Sequence, residues 1–194
     1  MKKQDIIKFF DQCAPAWDGE MIRDDQVIDR ILKNGGICPE VAVLDVACGT
    51  GVLFPDYLRR GVESVTGVDI SPEMARIAAG KKLGRRVTVI CGDIEELDLG
   101  RTFDCCMVYN AFPHFPDPEN LIRVLAGTLR PGGTLSIAHG MSRAAIDRHH
   151  ADCARKVSMG LMHEKELAKI LAPYFRVEYM ISDDTMYQVC GVRK

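Results

Sequence analysis

The sequence predicts an α/β protein whose central, mostly parallel sheet is covered by helices on both faces. Two observations favour this doubly wound class. Apolar runs of strand length alternate with helix-like segments, and a glycine-rich turn directly follows the first clear strand. The length of 194 residues, with 47% hydrophobic and 27% charged residues, is typical of one folded core. We therefore expect a single domain over residues 1–194.

Seven apolar runs have the length of strands. Five follow one another through the middle of the chain, and the last two are joined by the short turn Ser182-Asp183-Asp184. Because so short a link permits only an antiparallel pair, we expect a mostly parallel sheet with one antiparallel strand near the C-terminus. The seven runs are residues 41–46, 64–70, 87–93, 103–110, 134–140, 174–181 and 185–194.

Helical patterns separate these runs. Ser71 and Pro72 provide a good N-cap and first residue for a helix through residue 82. Residues 117–130 carry an apolar helical face that ends at a Pro-Gly-Gly stop, residues 131–133. A further helix is predicted from about residue 163 to residue 171.

The two segments outside this alternation are the start of the chain and a polar stretch after the fifth strand. Residues 1–36 carry helical patterns with aromatic side chains, and we expect them to form a helical cap or lid. Residues 37–194 would form the core, with residues 140–165 as a polar, histidine-bearing insertion on the substrate side of the sheet.

Charge and hydropathy exclude two classes of partner. The chain has 25 basic and 27 acidic residues, so it lacks the basic excess that drives binding to nucleic-acid phosphates. No apolar stretch approaches the roughly 20 residues that span a bilayer, and charges interrupt the first residues before a signal-peptide core could form. We therefore expect a cytoplasmic protein that binds neither nucleic acid nor membranes.

The eight cysteines include no CxxC pair. Several lie within or beside apolar runs, which is typical of reduced thiols that act as small core residues. These are Cys48, Cys91, Cys105, Cys106 and Cys190.

The glycine-rich turn, residues 43–51, is the most informative segment. Gly49 and Gly51 let the backbone approach a ligand at the carboxyl edge of the sheet, where open α/β folds bind their ligands. The third glycine of a dinucleotide fingerprint is absent, because Phe54 occupies its place, and an acidic residue, Asp45, precedes the turn. A tight strand-to-helix connection without a ligand would also explain the glycines.

Two more acidic residues follow the next strands. Asp69 ends the second strand about 20 residues after the turn, where a carboxylate can accept hydrogen bonds from the ribose hydroxyls of an adenosine. Asp93 follows the third strand and is placed to accept from an adenine amino group, while Ile94 packs on the ring. An exposed acid at a strand end and ordinary Gly-Asp turn chemistry are the simpler explanations.

Together these segments resemble the class I S-adenosylmethionine-dependent methyltransferases. VLDVACGTG is similar to their nucleotide-binding motif, VDISPEM to their ribose-binding segment and GDIEEL to their adenine-binding segment. LRPGGTLSIAH is similar to the segment that leads into their fifth strand. The resemblance covers residues 40–140 well and the closing strands more loosely. It implies a Rossmann-like sheet and S-adenosylmethionine as the cofactor.

The resemblance also implies roles for individual residues. Asp45 and the backbone around Ala47, Gly49 and Gly51 would hold the methionine part of the cofactor, and Asp69 would bind the ribose. Neighbouring side chains would flank the adenine, and an asparagine would lie beside the methyl-transfer site. Aromatic residues of the lid would cover both. These further residues are Ile70, Met74, Asp93 and Ile94 at the adenine, Asn110 at the methyl group, and Phe9 and Trp17 in the lid. Core packing within the cap would also explain the two aromatic residues.

Histidines are the candidate acid–base residues. His114 follows the fourth strand and His139 ends the fifth, both at the edge where the methyl group would point, so either is a candidate base. Four of the five histidines fall between residues 139 and 163. His139, His149, His150 and Cys153 are candidate metal ligands, and the two adjacent histidines are candidate substrate contacts. A metal site, a histidine-lined substrate pocket and a plain surface all remain open.

A small-molecule acceptor is the favoured substrate, and the sequence leaves the oligomeric state open. The segment from Tyr109 to Pro113 departs from the Asn/Asp-Pro-Pro-aromatic motif with which enzymes of this family methylate amino groups of nucleic acids. Two other functions remain as alternatives. An NAD(P)-dependent oxidoreductase would share the glycine turn and the acid after the second strand, and a regulatory module would bind S-adenosylmethionine or a metal without catalysis.

Overall fold

The computed structural model describes residues 1–149 and 156–194, with the side chain of residue 149 excepted. Seven strands form one sheet in the order β3-β2-β1-β4-β5-β7-β6. Strand β7 runs antiparallel to both of its neighbours and the other pairs are parallel, which confirms the predicted sheet. The strands are β1 Ala42–Val46, β2 Ser64–Asp69, β3 Val87–Cys91, β4 Phe103–Tyr109, β5 Leu129–His139, β6 Phe175–Ser182 and β7 Tyr187–Arg193.

Eight α-helices surround the sheet in the described part of the chain. Side-chain caps start several of them: the Ser71 hydroxyl accepts from the backbone N–H of Met74, as predicted, and the Asp24 carboxylate accepts from that of Gln26. None of these helices is long and apolar enough to cross a bilayer. They are α1 Lys3–Cys13, α2 Trp17–Glu20, α3 Asp25–Asn34, α4 Phe54–Arg59, α5 Pro72–Gly80, α6 Pro118–Thr128, α7 Arg143–His149 and α8 Glu164–Leu171, with a short 3₁₀ turn at Phe112–His114.

Both faces of the central strands are buried, as the near-continuous apolar runs predict, whereas the edge strands β3 and β6 are partly exposed. Leu44 and its neighbours on one face pack against α6 and α8, and Val43 and its neighbours on the other pack against α3 and α4. Helix α3 therefore belongs to the core, with Ile31 fully buried, whereas the sequence grouped it with the cap. Of the five cysteines expected in the core, four are buried, but Cys91 on edge strand β3 is exposed.

Strand β5 begins five residues earlier than the sequence predicts. Leu129 already pairs with Phe103, and the register resumes at Thr134 opposite Cys105, so the Pro-Gly-Gly segment forms a bulge within the strand and does not end the helix. A Cβ on Gly133 would lie 2.9 Å from the carbonyl oxygen of Arg130, so the bulge has no room for a side chain there.

Candidate active site

A cleft lies at the carboxyl edge of the sheet, under the N-terminal helices. Its empty volume, counted together with the open solvent at its mouth, is about 960 Å³. The turn after β1, the ends of β2 and β3, and the segment after β4 form its floor, and α1 and α2 cover it. Of the residues that the sequence assigned to the cofactor, the cleft is lined by Ala47, Gly49, Asp69, Ile70, Met74, Asp93, Ile94 and Asn110.

The turn after β1 has three residues in the left-handed region. The φ angles are 52° at Ala47, 56° at Gly49 and 75° at Gly51. The turn is held by a hydrogen bond from the Cys48 N–H to the Val68 carbonyl at 3.1 Å. Only Ala47 has a Cβ, and this conformation costs an L-residue about 1–2 kcal/mol. Strain of this kind concentrates at functional sites, where the surrounding structure enforces it.

Phe54 explains why this turn needs no third glycine. Its ring is fully buried and packs on two glycines, Gly51 of the turn and Gly67 of β2. A Cβ on either glycine would approach the ring to 2.5 Å. In a dinucleotide fingerprint the third glycine lets the helix approach the strand closely, whereas here the Phe54 ring fills that space. The sequence analysis missed its partner Gly67 on β2.

Asp69 connects the turn to the start of α5. One carboxylate oxygen accepts from the Gly49 N–H and the other from the Ser71 N–H, both at 2.8 Å. Burial raises the pKa of Asp69, while the two N–H donors act in the opposite direction. An ionised carboxylate has about four lone-pair sites, so two backbone donors leave acceptor capacity for ligand hydroxyls in the cleft.

Asp45 lies behind the turn and does not line the cleft directly. Its side chain is buried, and burial raises its pKa to about 8. The nearby charge of Asp69 raises this pKa further, and the neighbouring Tyr57 hydroxyl opposes the shift. A buried carboxylic acid beside a ligand cleft becomes easier to ionise when a positive charge enters the cleft.

At the β3 side of the cleft, Asp93 is paired with a cation that the sequence reasoning missed. Lys3 of α1 forms an ion pair with Asp93 and a second one with Glu95, the latter at 3.0 Å. The second Asp93 oxygen accepts from the Glu95 N–H at 3.0 Å. Ile94 is buried beside them, so this side combines a polar edge with an apolar surface.

Polar contacts hold α1 and α2 over the cleft. Asp11 of α1 accepts from the Ser71 hydroxyl at 2.5 Å, at the start of α5. Asp18 of α2 accepts from the Thr50 hydroxyl in the glycine turn and pairs with Lys81 at 2.7 Å. The two helices thus contact the same segments to which the resemblance assigns cofactor binding.

Asn110 occupies the end of β4 in a left-handed conformation, with φ of 54°. Its N–H donates to the Ala138 carbonyl at 2.9 Å, and its side-chain oxygen accepts from the Gly140 N–H at 3.0 Å. Asparagine tolerates this conformation better than most residues. The two bonds fix Asn110 between the ends of β4 and β5 and hold it in the wall of the cleft.

His114 lines the cleft among aromatic rings. Its ring lies 4.9 Å from that of Phe10, edge to face, and Phe10 packs in the same way on Trp17 at 5.8 Å. Nδ1 of His114 lies 2.6 Å from the Val157 carbonyl oxygen. Phe9 packs on Phe10 at 5.2 Å but does not line the cleft, so Phe10 occupies the lid position that we predicted for Phe9.

The other histidines are placed elsewhere or lie outside the described residues. His139 is fully buried away from the cleft, edge to face with Tyr187 at 6.2 Å. His163 begins α8, where its Nδ1 accepts from the Lys165 N–H. Among the described residues no three metal-ligating side chains come together. The remaining metal and substrate candidates, the His149 side chain, His150 and Cys153, lie outside the described part.

Comparison with known proteins shows what the chain is similar to. The family model of a methyltransferase domain matches residues 44–137. A malonyl-[acyl-carrier protein] O-methyltransferase of Priestia megaterium is 31% identical over 166 residues, which are 83% of this chain and 60% of that protein. These matches support a class I S-adenosylmethionine-dependent methyltransferase.

A second curated relative supports the same assignment. A ubiquinone biosynthesis O-methyltransferase of Xanthomonas campestris is 36% identical over 121 residues, 60% of this chain and 48% of that protein. The chain thus spans about half of the length of the curated relatives it matches.

Solved structures share the fold of the whole chain. A putative methyltransferase of Haloferax volcanii, solved in complex with a methyltransferase activator, superposes with a TM-score of 0.81 at 18% identity and covers 95% of this chain and 97% of its own. Magnesium protoporphyrin IX methyltransferase from Synechocystis PCC 6803, solved with S-adenosylhomocysteine, gives 0.74 at 18% identity and full coverage of both chains.

The residues that line the cleft fit S-adenosylmethionine. The cleft lining combines the buried Asp69 carboxylate, a hydrogen-bond acceptor of the kind that ribose hydroxyls need, with the apolar side chains of Met74 and Ile94, of the kind that pack on an adenine. Phe54 stands where a dinucleotide-binding fingerprint has its third glycine, and this argues against an NAD(P)-dependent oxidoreductase. S-Adenosylmethionine is therefore the cofactor of this site.

Proposed function

We propose that this protein transfers the methyl group of S-adenosylmethionine to a hydroxyl group of a small-molecule acceptor. The observation that carries the proposal is the covered cleft, in which α1 and α2 lie over the carboxyl edge and leave space beside the cofactor residues. The names of two relatives describe O-methyltransferases, which supports oxygen as the acceptor atom. The near balance of charges gives no support to a nucleic-acid substrate.

The protein's own contribution is binding, orientation and exclusion of water. When bound, S-adenosylmethionine supplies a methyl group on a positively charged sulfur, and its transfer breaks the carbon–sulfur bond, returns the electron pair to sulfur and leaves S-adenosylhomocysteine. Asn110 forms the wall beside the acceptor, and Phe10 and Trp17 cover it.

His114 receives the acceptor's proton in this proposal. The Val157 carbonyl can only accept a hydrogen bond, so Nδ1 of His114 carries the proton and donates it at 2.6 Å. Nε2 is then the basic nitrogen of the neutral ring. As the acceptor oxygen forms its bond to carbon, its proton passes to Nε2, which balances the charge.

Isothermal titration calorimetry tests the cofactor part of this proposal. S-Adenosylhomocysteine should bind to the wild-type protein with a dissociation constant in about the micromolar range, which corresponds to roughly 8 kcal/mol, and NAD should give no signal under the same conditions. Binding of NAD without binding of S-adenosylhomocysteine would overturn the proposal in favour of an oxidoreductase.

Transfer itself is tested with the His114→Gln variant and 4-ethylphenol as the probe acceptor. The variant should bind S-adenosylhomocysteine like the wild type but form it from S-adenosylmethionine about 100-fold more slowly at pH 7. The deficit should shrink toward pH 10, because a phenol then loses its proton without a base. A deficit that is constant with pH would remove His114 from proton transfer. Cofactor binding with no transfer to any hydroxyl acceptor would indicate a regulatory module.

A further inference from the structure

Lys3, Asp11 and Asp18 of the covering helices make polar contacts with the segments below them. Asp11 and Asp18 do so outside the cleft, because neither they nor their partners, in the glycine turn and at the two ends of α5, are among the residues that line it. Lys3 differs, since it lines the cleft together with both of its acidic partners, Asp93 and Glu95. A change in this contact therefore reaches the cleft directly.

The two carboxylates that face Lys3 are largely withdrawn from water. The side chain of Asp93 is 13% exposed and that of Glu95 only 6%. Lys3 pairs with Asp93, lies 3.0 Å from Glu95, and is the one Lys or Arg that lines the cleft among the residues the structure describes. Like charges within reach of one ammonium group repel each other, and more strongly where water is excluded. The cation of α1 is therefore what lets both carboxylates stay ionised in the cleft.

Neutral donors fix the remaining oxygens of this acidic pair. The second oxygen of Asp93 accepts from the Glu95 N–H at 3.0 Å, and Glu95 accepts from the side-chain amide of Asn120 at 2.6 Å. These donors orient the carboxylates but do not cancel their charge. An ionised carboxylate has about four lone-pair sites, so Asp93 keeps acceptor capacity for the adenine amino group that the resemblance assigns to it.

One face of α1 carries both this cation and apolar cover for the cleft. Lys3, Ile6 and Phe10 are three and four positions apart, so they lie on the same side of the helix, and all three line the cleft. Within α1, all of which the structure describes, only Ile6 is buried. An element with few buried contacts opens at a low free-energy cost, so the position of α1 depends on its polar contacts.

We propose that Lys3 is a positioning residue for the cofactor and couples the docking of α1 to the binding of the adenine. From the first turn of α1 it neutralises Asp93 and Glu95, and it thereby holds the carboxylates in the cleft and the helix over the ligand. Loss of the charge leaves two like charges at the adenine end and loosens α1, so the cofactor is bound more weakly. The inference rests on the proposed function for its cofactor and for the role of Asp93, and it does not depend on the acceptor.

Calorimetric titration with S-adenosylhomocysteine tests the charge of Lys3. Lys3→Met, which keeps the apolar stem, should bind about tenfold more weakly than the wild type, and Lys3→Arg, which keeps the charge, should stay within about threefold of it. Lys8→Met removes an exposed lysine from the same helix and is the matched control, which should bind as the wild type does. A loss below about threefold in Lys3→Met would overturn the inference.

The salt dependence of binding separates the charge of Lys3 from its shape. S-Adenosylhomocysteine has no net charge near neutral pH, so added salt acts mainly on the charges of the protein. Between about 50 mM and about 500 mM NaCl the affinity of the wild type should fall by about two- to threefold, because screening weakens the Lys3 pairs. The affinity of Lys3→Met should stay level or rise, because screening relieves the repulsion between Asp93 and Glu95. The same fall in both proteins would overturn the positioning role.

Hydrogen–deuterium exchange of α1 tests the coupling. Saturation of the wild type with S-adenosylhomocysteine should slow the exchange of amides in Lys3–Cys13, because the ligand and the docked helix stabilise each other. In saturated Lys3→Met this slowing should be at least about threefold smaller, while amides of β1 remain equally protected in both proteins. Equal slowing in α1 would show that the helix docks without Lys3 and would overturn the inference.

These experiments distinguish a failure of this inference from a failure of the proposed function. If S-adenosylhomocysteine does not bind to the wild-type protein, the cofactor part of the proposed function is wrong, and the role of Lys3 with it. If it binds and Lys3→Met behaves as expected, but no hydroxyl acceptor is methylated, the role of Lys3 stands and the proposed acceptor is wrong.

Discussion

The two edges of the sheet differ in how their polar groups are satisfied. At the amino edge, three successive carbonyls at the end of α3 and just beyond it, those of residues 34–36, accept hydrogen bonds from strand side chains. The hydroxyl of Thr134 donates to Gly35 at 2.7 Å, and the thiols of Cys190 and Cys105 donate to Asn34 and Gly36 at 3.3 and 3.4 Å. Burial raises the pKa of both thiols, to about 12 and about 11, so they stay protonated as donors.

The carboxyl edge instead contains strained backbone and buried carboxyl groups. Ala47 and Asn110 keep left-handed backbone there, and Asp45 and Asp69 are buried carboxyl groups whose pKa values burial raises. The contrast teaches that unfavourable features concentrate where the ligand binds, while the opposite edge, with its backbone groups satisfied, anchors α3 to the sheet.

Removal of the central carboxylate should have the largest effect at the carboxyl edge. Asp69→Ala deprives the Gly49 and Ser71 N–H groups of their acceptor and removes the expected ribose contact. Charge-assisted bonds are worth about 1.5–3 kcal/mol each, so affinity for S-adenosylhomocysteine should fall by roughly 100-fold or more in calorimetry. Asp98→Ala, an exposed acid in the loop after β3, is the matched control. A loss below about threefold would contradict the role of Asp69.

The buried acid Asp45 should make stability depend on pH. Its folded pKa of about 8 exceeds the ordinary value of 3.8, so between these values the folded state holds a proton that the unfolded state has released. The free energy of unfolding of the ligand-free protein must therefore fall as pH rises from about 4 to about 8. Asp45→Asn should weaken this fall, so that its melting temperature exceeds that of the wild type by several degrees at pH 8.5 and by less at pH 5.5.

Thermal unfolding at several pH values, with Asp98→Asn as the control, provides the measurement. The same pH dependence in Asp45→Asn and in wild type would show that Asp45 is ionised in the folded protein.

The sequence predicted most of the scaffold, because the scaffold follows from local patterns. Apolar runs and capping signals give the seven strands and the helix that starts at Pro72. The bulge in β5 was missed because Pro-Gly-Gly after a helix has the same local signal as a helix stop. Only the pairing of Leu129 with Phe103, a contact between distant segments, reveals it as part of the strand.

Site residues at the strand ends were easier to predict than site contacts between residues that are far apart in the sequence. Motifs mark Asp69 and Gly49, but no local signal connects Lys3 to Asp93, which lies 90 positions away. Gly67 resembles any glycine within a strand until Phe54 is seen against it. Such contacts depend on tertiary packing, which a single sequence does not encode in its periodicity.

Backbone strain at the carboxyl edge can be measured at Ala47. Ala47→Val places a β-branched side chain at φ of 52° and should lower the free energy of unfolding by about 1–2 kcal/mol, whereas Ala47→Gly should leave it unchanged or raise it. Urea denaturation of both variants tests this difference. Equal stability of the valine and glycine variants would show that the turn stores no strain.

The smallest effect is expected at the amino edge, from Thr134→Val. This nearly isosteric change leaves the Gly35 carbonyl without its donor and should cost about 0.5–1.5 kcal/mol in urea denaturation, while Thr134→Ser, which keeps the hydroxyl, should cost less. Both variants should bind S-adenosylhomocysteine as the wild type does, because Thr134 is not among the residues that line the cleft. If Thr134→Val weakens that binding more than about threefold, the two edges are coupled through α3, and satisfied hydrogen bonds at the amino edge would then help to hold the strained turn in place.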